Sequence, residues 1–342
     1  MTLLQVDNLR VRYDTPRGPL WAVDQLSFKL ESGEMVALVG ESGSGKSTTA
    51  LAILGLVPYS GGVVETGEIW YGGRNLLALD EREFRKLRAS EIALVFQDAS
   101  AALNPFLTIG VQLAEVLEVH RGLSRREALT ESARALGDVG IPDPESRLHA
   151  YPHELSGGQR QRALIAMSLV AKPKVLIADE PTTALDPAVA LTVLDLLKRE
   201  REERGAGVVL VSHDLELVHA TANRVHVMYA GRVIEQADAH ELFEHPWHPY
   251  TAALWRARAR LGGERRHRLA AVPGAPAELT ALPTGCAFHP RCELATDRCR
   301  RERPDLSGLR RAETGMSLSS GRRAACFEKE RVAGAHAETL EA

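Results

Sequence analysis

A chain of 342 residues with 44% hydrophobic content can bury a large core, as two domains or as one large domain with an appendage. Its net charge of −3, with acidic and basic residues both abundant, argues against a dedicated nucleic-acid binder and leaves room only for a local basic patch. No stretch approaches the roughly 18 consecutive apolar residues of a membrane span, and Met1–Asp7 has neither a basic region nor a hydrophobic signal core. The chain is therefore expected to stay in the cytoplasm, where it can still dock on a membrane protein.

Leu3 to Tyr13 alternates as an edge strand, and Ala22 to Leu30 reads as a second strand closed by the turn Glu31-Ser32-Gly33-Glu34. Tyr13 precedes a glycine-rich loop, where an aromatic either stacks on an adenine ring or packs on the sheet. That loop is Gly40-Glu41-Ser42-Gly43-Ser44-Gly45-Lys46-Ser47, between the apolar run Met35–Val39 and the helical stretch from Thr48 to Leu54. Its glycines let the backbone curl around an anion, and successive N–H groups with the new helix terminus point at phosphate oxygens. Lys46 is expected to reach the β- and γ-phosphates and the Ser47 hydroxyl to sit on Mg²⁺, so Gly40, Ser42, Gly43, Gly45, Lys46, Ser47 and Thr48 form the expected cradle for a nucleotide's phosphates.

Two short strands follow, Gly67–Tyr71 and Glu91–Phe96, and Gln97 comes directly after the second. An amide there either bridges metal, water and γ-phosphate from a movable loop or is ordinary polar surface. From about 103 to 172 the pattern is helical with breaks at Pro105, Pro142, Pro144 and Pro152, which predicts an inserted helical subdomain. Near its end, Leu155-Ser156-Gly157-Gly158-Gln159 supplies an N-cap and two glycines that leave first-turn amides uncovered. More than a hundred residues separate these donors from the first cradle. They make sense as a clamp closing on the nucleotide of a partner chain; the alternative is a well-capped helix carrying no ligand.

Lys174 to Asp179 predicts a strand with Asp179 and Glu180 at its carboxyl end, where open α/β sheets bind ligands. Asp179 suits Mg²⁺ coordination, direct or through water, and Glu180 is placed to polarise an attacking water. Ala184-Leu185-Asp186 leads into a helix around Leu191 to Arg204, with Pro187 suited to its first turn. The buried strand Gly207–Val211 delivers Ser212-His213-Asp214, and His213 either contacts the γ-phosphate or is structural. Val225 to Arg232 reads as a hairpin, and Glu241 to Ala259 is mostly helical around Pro246 and Pro249.

Beyond about residue 260 the composition changes. Arg256, Arg258, Arg260, Arg265, Arg266 and Arg268 are followed by Pro273, Pro276 and Pro283, and no aromatics interleave the run as stacking platforms for nucleic acid. All four cysteines lie here, Cys286, Cys292, Cys299 and Cys326, which in a cytosolic chain points to a metal centre more than a disulfide scaffold. Their spacing leaves a [4Fe–4S] cluster, zinc or unliganded thiols open, and so small a tail would need a staple to be ordered. Ala333–Ala342 reads as a frayed end. The fold class expected is α/β, with a nucleotide-binding domain over 1–260 and a cysteine-containing extension over 261–342.

In order, the phosphate loop, Gln97, Leu155–Gln159, Asp179-Glu180, Asp186 and His213 resemble the P-loop nucleotide-binding subunit of an ATP-binding-cassette (ABC) transporter, over about residues 3 to 330. In that family two such domains sandwich two ATP molecules. The resemblance implies that Tyr13 stacks on adenine, Gln97 couples to the membrane subunits, Asp179 is the Mg²⁺-associated acid, and Glu180 is the base. It also makes His213 the γ-phosphate switch, Asp186 an organiser of the dimer seam, and Ser156, Gly157, Gly158 and Gln159 the groups acting in trans.

A narrower resemblance rests on Phe96-Gln97-Asp98 with Ala102-Leu103-Asn104-Pro105, Pro152-His153-Glu154-Leu155, Ile177 to Asp186, His248-Pro249-Tyr250-Thr251 and Gly285 to Cys292. These look like the dipeptide/oligopeptide importer ATPases, a group that also contains nickel importers. The likeness implies an ATPase powering peptide uptake from the cytoplasmic face of the membrane. Its implied partners are two transmembrane permeases, a non-identical sister ATPase and, indirectly, an extracytoplasmic substrate-binding protein, with no nucleic acid. Similar tails hold a [4Fe–4S] cluster on four cysteines, which implies the same for Cys286, Cys292, Cys299 and Cys326. Departures at Asp98-Ala99-Ser100-Ala101-Ala102, Ala287 and His289 leave the ATPase chemistry untouched and touch only the substrate class. A cassette ATPase of DNA repair or translation would show two fused cassettes or a long coiled-coil insertion, and neither is visible.

Overall fold

A computed structural model describes residues 1–183, 185–257, 272–308 and 321–340. Arg258, Arg260, Arg265, Arg266 and Arg268 of the arginine run, the helical end expected at Ala259, Ala184 and the last two residues of the expected frayed end lie outside the described residues.

Two long strands, β1 (Thr2–Thr15) and β2 (Gly18–Glu31), form an antiparallel ribbon. β3 (Met35–Val39) leads into α1 (Lys46–Ile53), and β4 (Gly62–Tyr71) then returns to the free side of β1, with β5 (Arg74–Asn75) beyond it. The order β2-β1-β4-β5 corrects the expectation that the first strand is an edge. Alternation reports one buried face, here Leu4, Val6, Leu9 and Val11, and says nothing of how many neighbours the strand pairs with.

After α2 (Glu81–Leu87), β6 (Ile92–Val95) joins the second sheet. Between it and β7 (Val175–Asp179) stand only helices: α3 (Ala99–Ala102), α4 (Ile109–Arg121), α5 (Arg125–Asp138), α6 (Pro144–Arg147) and α7 (Gly157–Leu169). Then come α8 (Pro187–Arg204), β8 (Gly207–Ser212), α9 (Leu215–Thr221), the hairpin β9 (Arg224–Tyr229) and β10 (Arg232–Asp238), α10 (Ala239–Glu244) and α11 (Pro249–Ala257). The extension adds α12 (Asp297–Arg301), β11 (Arg323–Ala324) and α13 (Lys329–Leu340). Among the described residues no helix is long and apolar enough to cross a membrane.

The second sheet runs β11-β10-β9-β3-β8-β7-β6, parallel from β9 to β6, with β10 and β11 added antiparallel. Every residue of β3, β7 and β8 is buried, which is why these strands read as unbroken apolar runs. Their side chains divide by alternation. Ala37, Val39, Leu176, Ala178, Val208 and Leu210 pack towards α4, α7 and α8, whereas Val36, Leu38, Ile177, Val209 and Val211 pack towards the four-stranded sheet and α1. The parallel strands are thus covered on both faces, and their carboxyl ends are left to carry the chemistry.

Candidate active site

β3 ends at Val39 and α1 begins at Lys46, so Gly40–Gly45 must turn within a few residues. Gly45 has φ +103°, and a Cβ there would lie 2.1 Å from the Ala22 carbonyl oxygen. Gly40 has φ +150°, and its Cβ would lie 2.2 Å from the Met228 carbonyl oxygen. Only glycine fits either position. The loop is therefore threaded between β2 and β9, which fixes it against the sheet and leaves the first-turn amides of α1 facing outward from the strand ends.

Lys46 is buried, and its Nζ donates to the carbonyl oxygens of Gly40 at 2.8 Å and Glu41 at 2.9 Å, so the loop wraps around the ammonium. Burial lowers its pKa, while the charges of Glu180, Asp179 and Glu41 oppose that shift. The result is a cation held at the centre of an amide-rich loop, a site made for a polyanion.

Asp179 closes β7, and Glu180 follows in the left-handed region at φ +48°, a conformation that costs a non-glycine residue about 1 kcal/mol. The two carboxylates serve different partners. The Ser47 hydroxyl lies beside Asp179, whose Oδ1 is buried without a hydrogen-bond partner. Burial raises the Asp179 pKa, the Ser47 hydroxyl opposes this, the Glu180 charge adds to it, and Lys46 opposes it. Glu180 Oε2 accepts from Gln97 Nε2 at 3.0 Å and from Thr183 Oγ1 at 3.1 Å, and Oε1 lies 3.2 Å from His213 Nδ1. Gln97 follows β6 and His213 follows β8, so residues from three neighbouring strand ends converge on one carboxylate.

Other expected residues stand apart from this constellation. Ser156 caps α7 through a reciprocal box with Gln159, at 3.2 and 3.0 Å, on the helical side of the molecule. Asp186 caps α8, accepting from the Val189 amide at 3.1 Å. Tyr13 is half-buried against Gly62, and its hydroxyl bonds Ser60 Oγ at 2.8 Å.

Residues 23–183 match the family model described as ABC transporter, and 234–299 match the one described as oligopeptide/dipeptide transporter, C-terminal region. Over 309 residues the chain is 45% identical to the dipeptide transport ATP-binding protein DppD of Escherichia coli K12, covering 90% of this chain and 94% of that one. The chain belongs to the DppD/OppD family of ABC transport ATPases. It is also 44% identical over 326 residues to the oligopeptide transport ATP-binding protein OppD of Salmonella typhimurium, covering 95% and 93%. Among solved structures, the dimeric ATP-binding cassette MJ0796 bound to ADP and Pi superposes with a TM-score of 0.64 at 29% identity, over 69% of this chain and 99% of that one.

The C-terminal region of this DppD/OppD-type chain reaches the phosphate loop directly. Arg291 forms a two-pronged ion pair with Glu41 at 2.7 and 2.9 Å, and the Glu41 amide donates to Tyr250 Oη at 2.9 Å. Arg291 also lies against the Tyr229 and Phe288 rings, 5.8 and 5.7 Å from their centroids. Sequence reasoning missed this contact because its partners are 250 residues apart; the only signal was that Tyr250 and Arg291 both fall in stretches the narrower resemblance singles out. Arg291→Ala should destabilise the docked extension by about 2–3 kcal/mol, somewhat less than a fully buried pair because Glu41 is partly exposed. Hydrogen exchange across 286–299 would report it as faster opening.

The metal centre expected in the extension is corrected. Cys286, Cys292, Cys299 and Cys326 line one small pocket as free thiols. Yet among the described residues the only His, Cys, Asp and Glu group whose three ligand atoms lie within 4.8 Å of one another is His219, His240 and Glu244. The four sulfurs do not converge on a shared ion, so neither the iron–sulfur cluster nor its zinc alternative is supported. Burial pushes the Cys286 thiol up to about 11 and the Cys326 thiol up to about 12, so the free side chains are protonated at neutral pH. What orders the extension instead is packing: Phe288 lies 5.3–5.7 Å from the Tyr229, His248 and Tyr250 rings, and β11 extends the main sheet. A cavity of about 700 Å³ lies between the extension, β2, β9 and β10.

Proposed function

We propose that the chain hydrolyses ATP to power uptake of di- or oligopeptides across the cytoplasmic membrane, from its cytoplasmic face. Its partners in this reading are two transmembrane permeases, a second related ATPase and, indirectly, an extracytoplasmic substrate-binding protein. The observation that carries it is Glu180, held by Gln97, Thr183 and His213 at the strand ends beside Lys46. The relatives named for dipeptide and oligopeptide transport favour peptides over nickel, and transport over repair or translation. In this reading the cassette runs to about residue 260 with its helical subdomain over 103–172, and the extension follows over 261–342.

The loop amides and Lys46 bind the β- and γ-phosphates. Glu180 accepts a proton from the attacking water while His213 orients it against the γ-phosphate, and the bond from the β,γ-bridging oxygen to the γ-phosphorus breaks in line. Asp179 Oδ1, the Ser47 hydroxyl and Gln97 are the groups that would hold Mg²⁺: a buried carboxylate oxygen without a protein partner beside a hydroxyl is an oxygen-rich set that suits it. Bound there, Mg²⁺ would neutralise phosphate charge. Tyr13 would support the adenine.

Ser156–Gln159 would close on the nucleotide of the partner subunit, with Asp186 at the seam. Support comes from the glycines. A Cβ on Gly157 meets no atom within 4 Å, one on Gly158 meets only Leu185 Cδ2 at 3.7 Å, and neither has positive φ, so this chain's own fold does not demand glycine at either position. Gly158→Asp should therefore fold and bind ATP normally yet lose roughly 10²-fold or more in turnover, because a carboxylate replaces space meant for phosphate. Normal turnover by that variant in the assembled transporter would remove the in-trans clamp from the account.

A further inference from the structure

The converged ligand set belongs to α9 and α10, whose buried residues Val218, Leu242 and Phe243 share the core of α4, α7 and α8. His219 belongs to α9, whereas His240 and Glu244 stand one turn apart on α10, and the three ligand atoms lie within 4.8 Å of one another. The His219 and His240 rings meet edge to face, with centroids 4.7 Å apart. His219 is also flanked by Trp255 at 5.3 Å and Phe243 at 5.8 Å, and those two rings stack at 4.5 Å. The buried Phe243 and the stacked Trp255 thus brace one imidazole, while His240 and Glu244 are exposed and open to an incoming ion.

We infer that His219, His240 and Glu244 form a binding site for a divalent transition-metal ion of the zinc class, joining α9 to α10. Two imidazoles and one carboxylate are a borderline-soft set that suits zinc and its neighbours and is poor for Mg²⁺ or Ca²⁺, which prefer oxygen alone. Three protein ligands leave a fourth position for water, so the ion needs no further side chain. The site has a structural consequence. α9 is capped by Asp214, whose carboxylate accepts from the Glu216 and Leu217 amides at 3.1 Å, and the residue before that cap is His213, beside Glu180. An ion here ties down the helix that leads out of the catalytic constellation.

The test uses the full chain and Zn²⁺ by calorimetry, with Ni²⁺ as a quencher of Trp255 fluorescence. The site predicts one Zn²⁺ per chain, at least tenfold weaker binding in His240→Ala and in Glu244→Gln, and Ni²⁺ quenching that disappears in both variants and in Trp255→Phe. His240 and Glu244 are exposed, so their variants should keep the melting temperature of the metal-free protein. The four cysteines remain in every variant. Zn²⁺ binding that is undiminished by His240→Ala would show the ion is taken elsewhere, by the thiols for instance, and would overturn the site; so would a wild-type chain that takes up no Zn²⁺.

Discussion

Glu180→Gln should lower ATP turnover by roughly 10²–10⁴-fold while nucleotide binding stays intact. The size of the effect follows from where each oxygen points. Oε2 receives two donors, Gln97 Nε2 and Thr183 Oγ1, so a glutamine in this place keeps its carbonyl oxygen there. Its NH₂ then takes the place of Oε1, the atom 3.2 Å from His213 Nδ1. An acceptor becomes a donor at the point where a proton must be taken, with hardly any change in volume. Phosphate release in the steady state, paired with equilibrium ATP binding, separates the two effects. Loss of binding together with turnover would assign Glu180 a structural role, and turnover above a tenth of wild type would remove it as the base.

The second large effect belongs to the backbone of the phosphate loop. Gly45→Ala should destabilise the protein by about 3 kcal/mol or more, from a left-handed φ and a contact that no side-chain motion relieves. The obstacle is the Ala22 carbonyl oxygen, 2.1 Å from the added Cβ and fixed in β2. Gly43 is the internal control: its φ is also positive, at +78°, but a Cβ there meets no atom within 4 Å, so Gly43→Ala should cost only about 1 kcal/mol. Thermal unfolding should therefore rank Gly45→Ala well below Gly43→Ala, with midpoints apart by roughly 5 °C. Equal midpoints would mean that the loop is not pinned against β2 as described.

These two sites also show what a sequence exposes. The phosphate loop and the pair Asp179-Glu180 are contiguous, so the strand, the turn and the chemistry can be read from neighbouring letters. Gln97 and His213 are single polar residues after apolar runs, and each is ambiguous alone. The sheet order β8-β7-β6 is what brings both to Glu180. The same limit explains the failures. The cysteine spacing fixed neither the direction nor the separation of the sulfurs, so it could not show that they stay apart. His219, His240 and Glu244 belong to two helices separated by a hairpin, and Arg291 meets Glu41 across most of the chain; no local pattern announces either contact. The alternation of the first strand reported its buried face correctly and its place in the sheet not at all.

The most direct measurement of the central claim is uptake of a radiolabelled dipeptide by cells lacking this chain, resupplied with either the wild-type chain or Glu180→Gln. An ATPase that powers peptide import predicts that uptake falls when the chain is removed, returns with the wild type, and stays lost with Glu180→Gln although that variant still binds ATP. Uptake that persists without the chain, or that Glu180→Gln restores fully, would contradict the account.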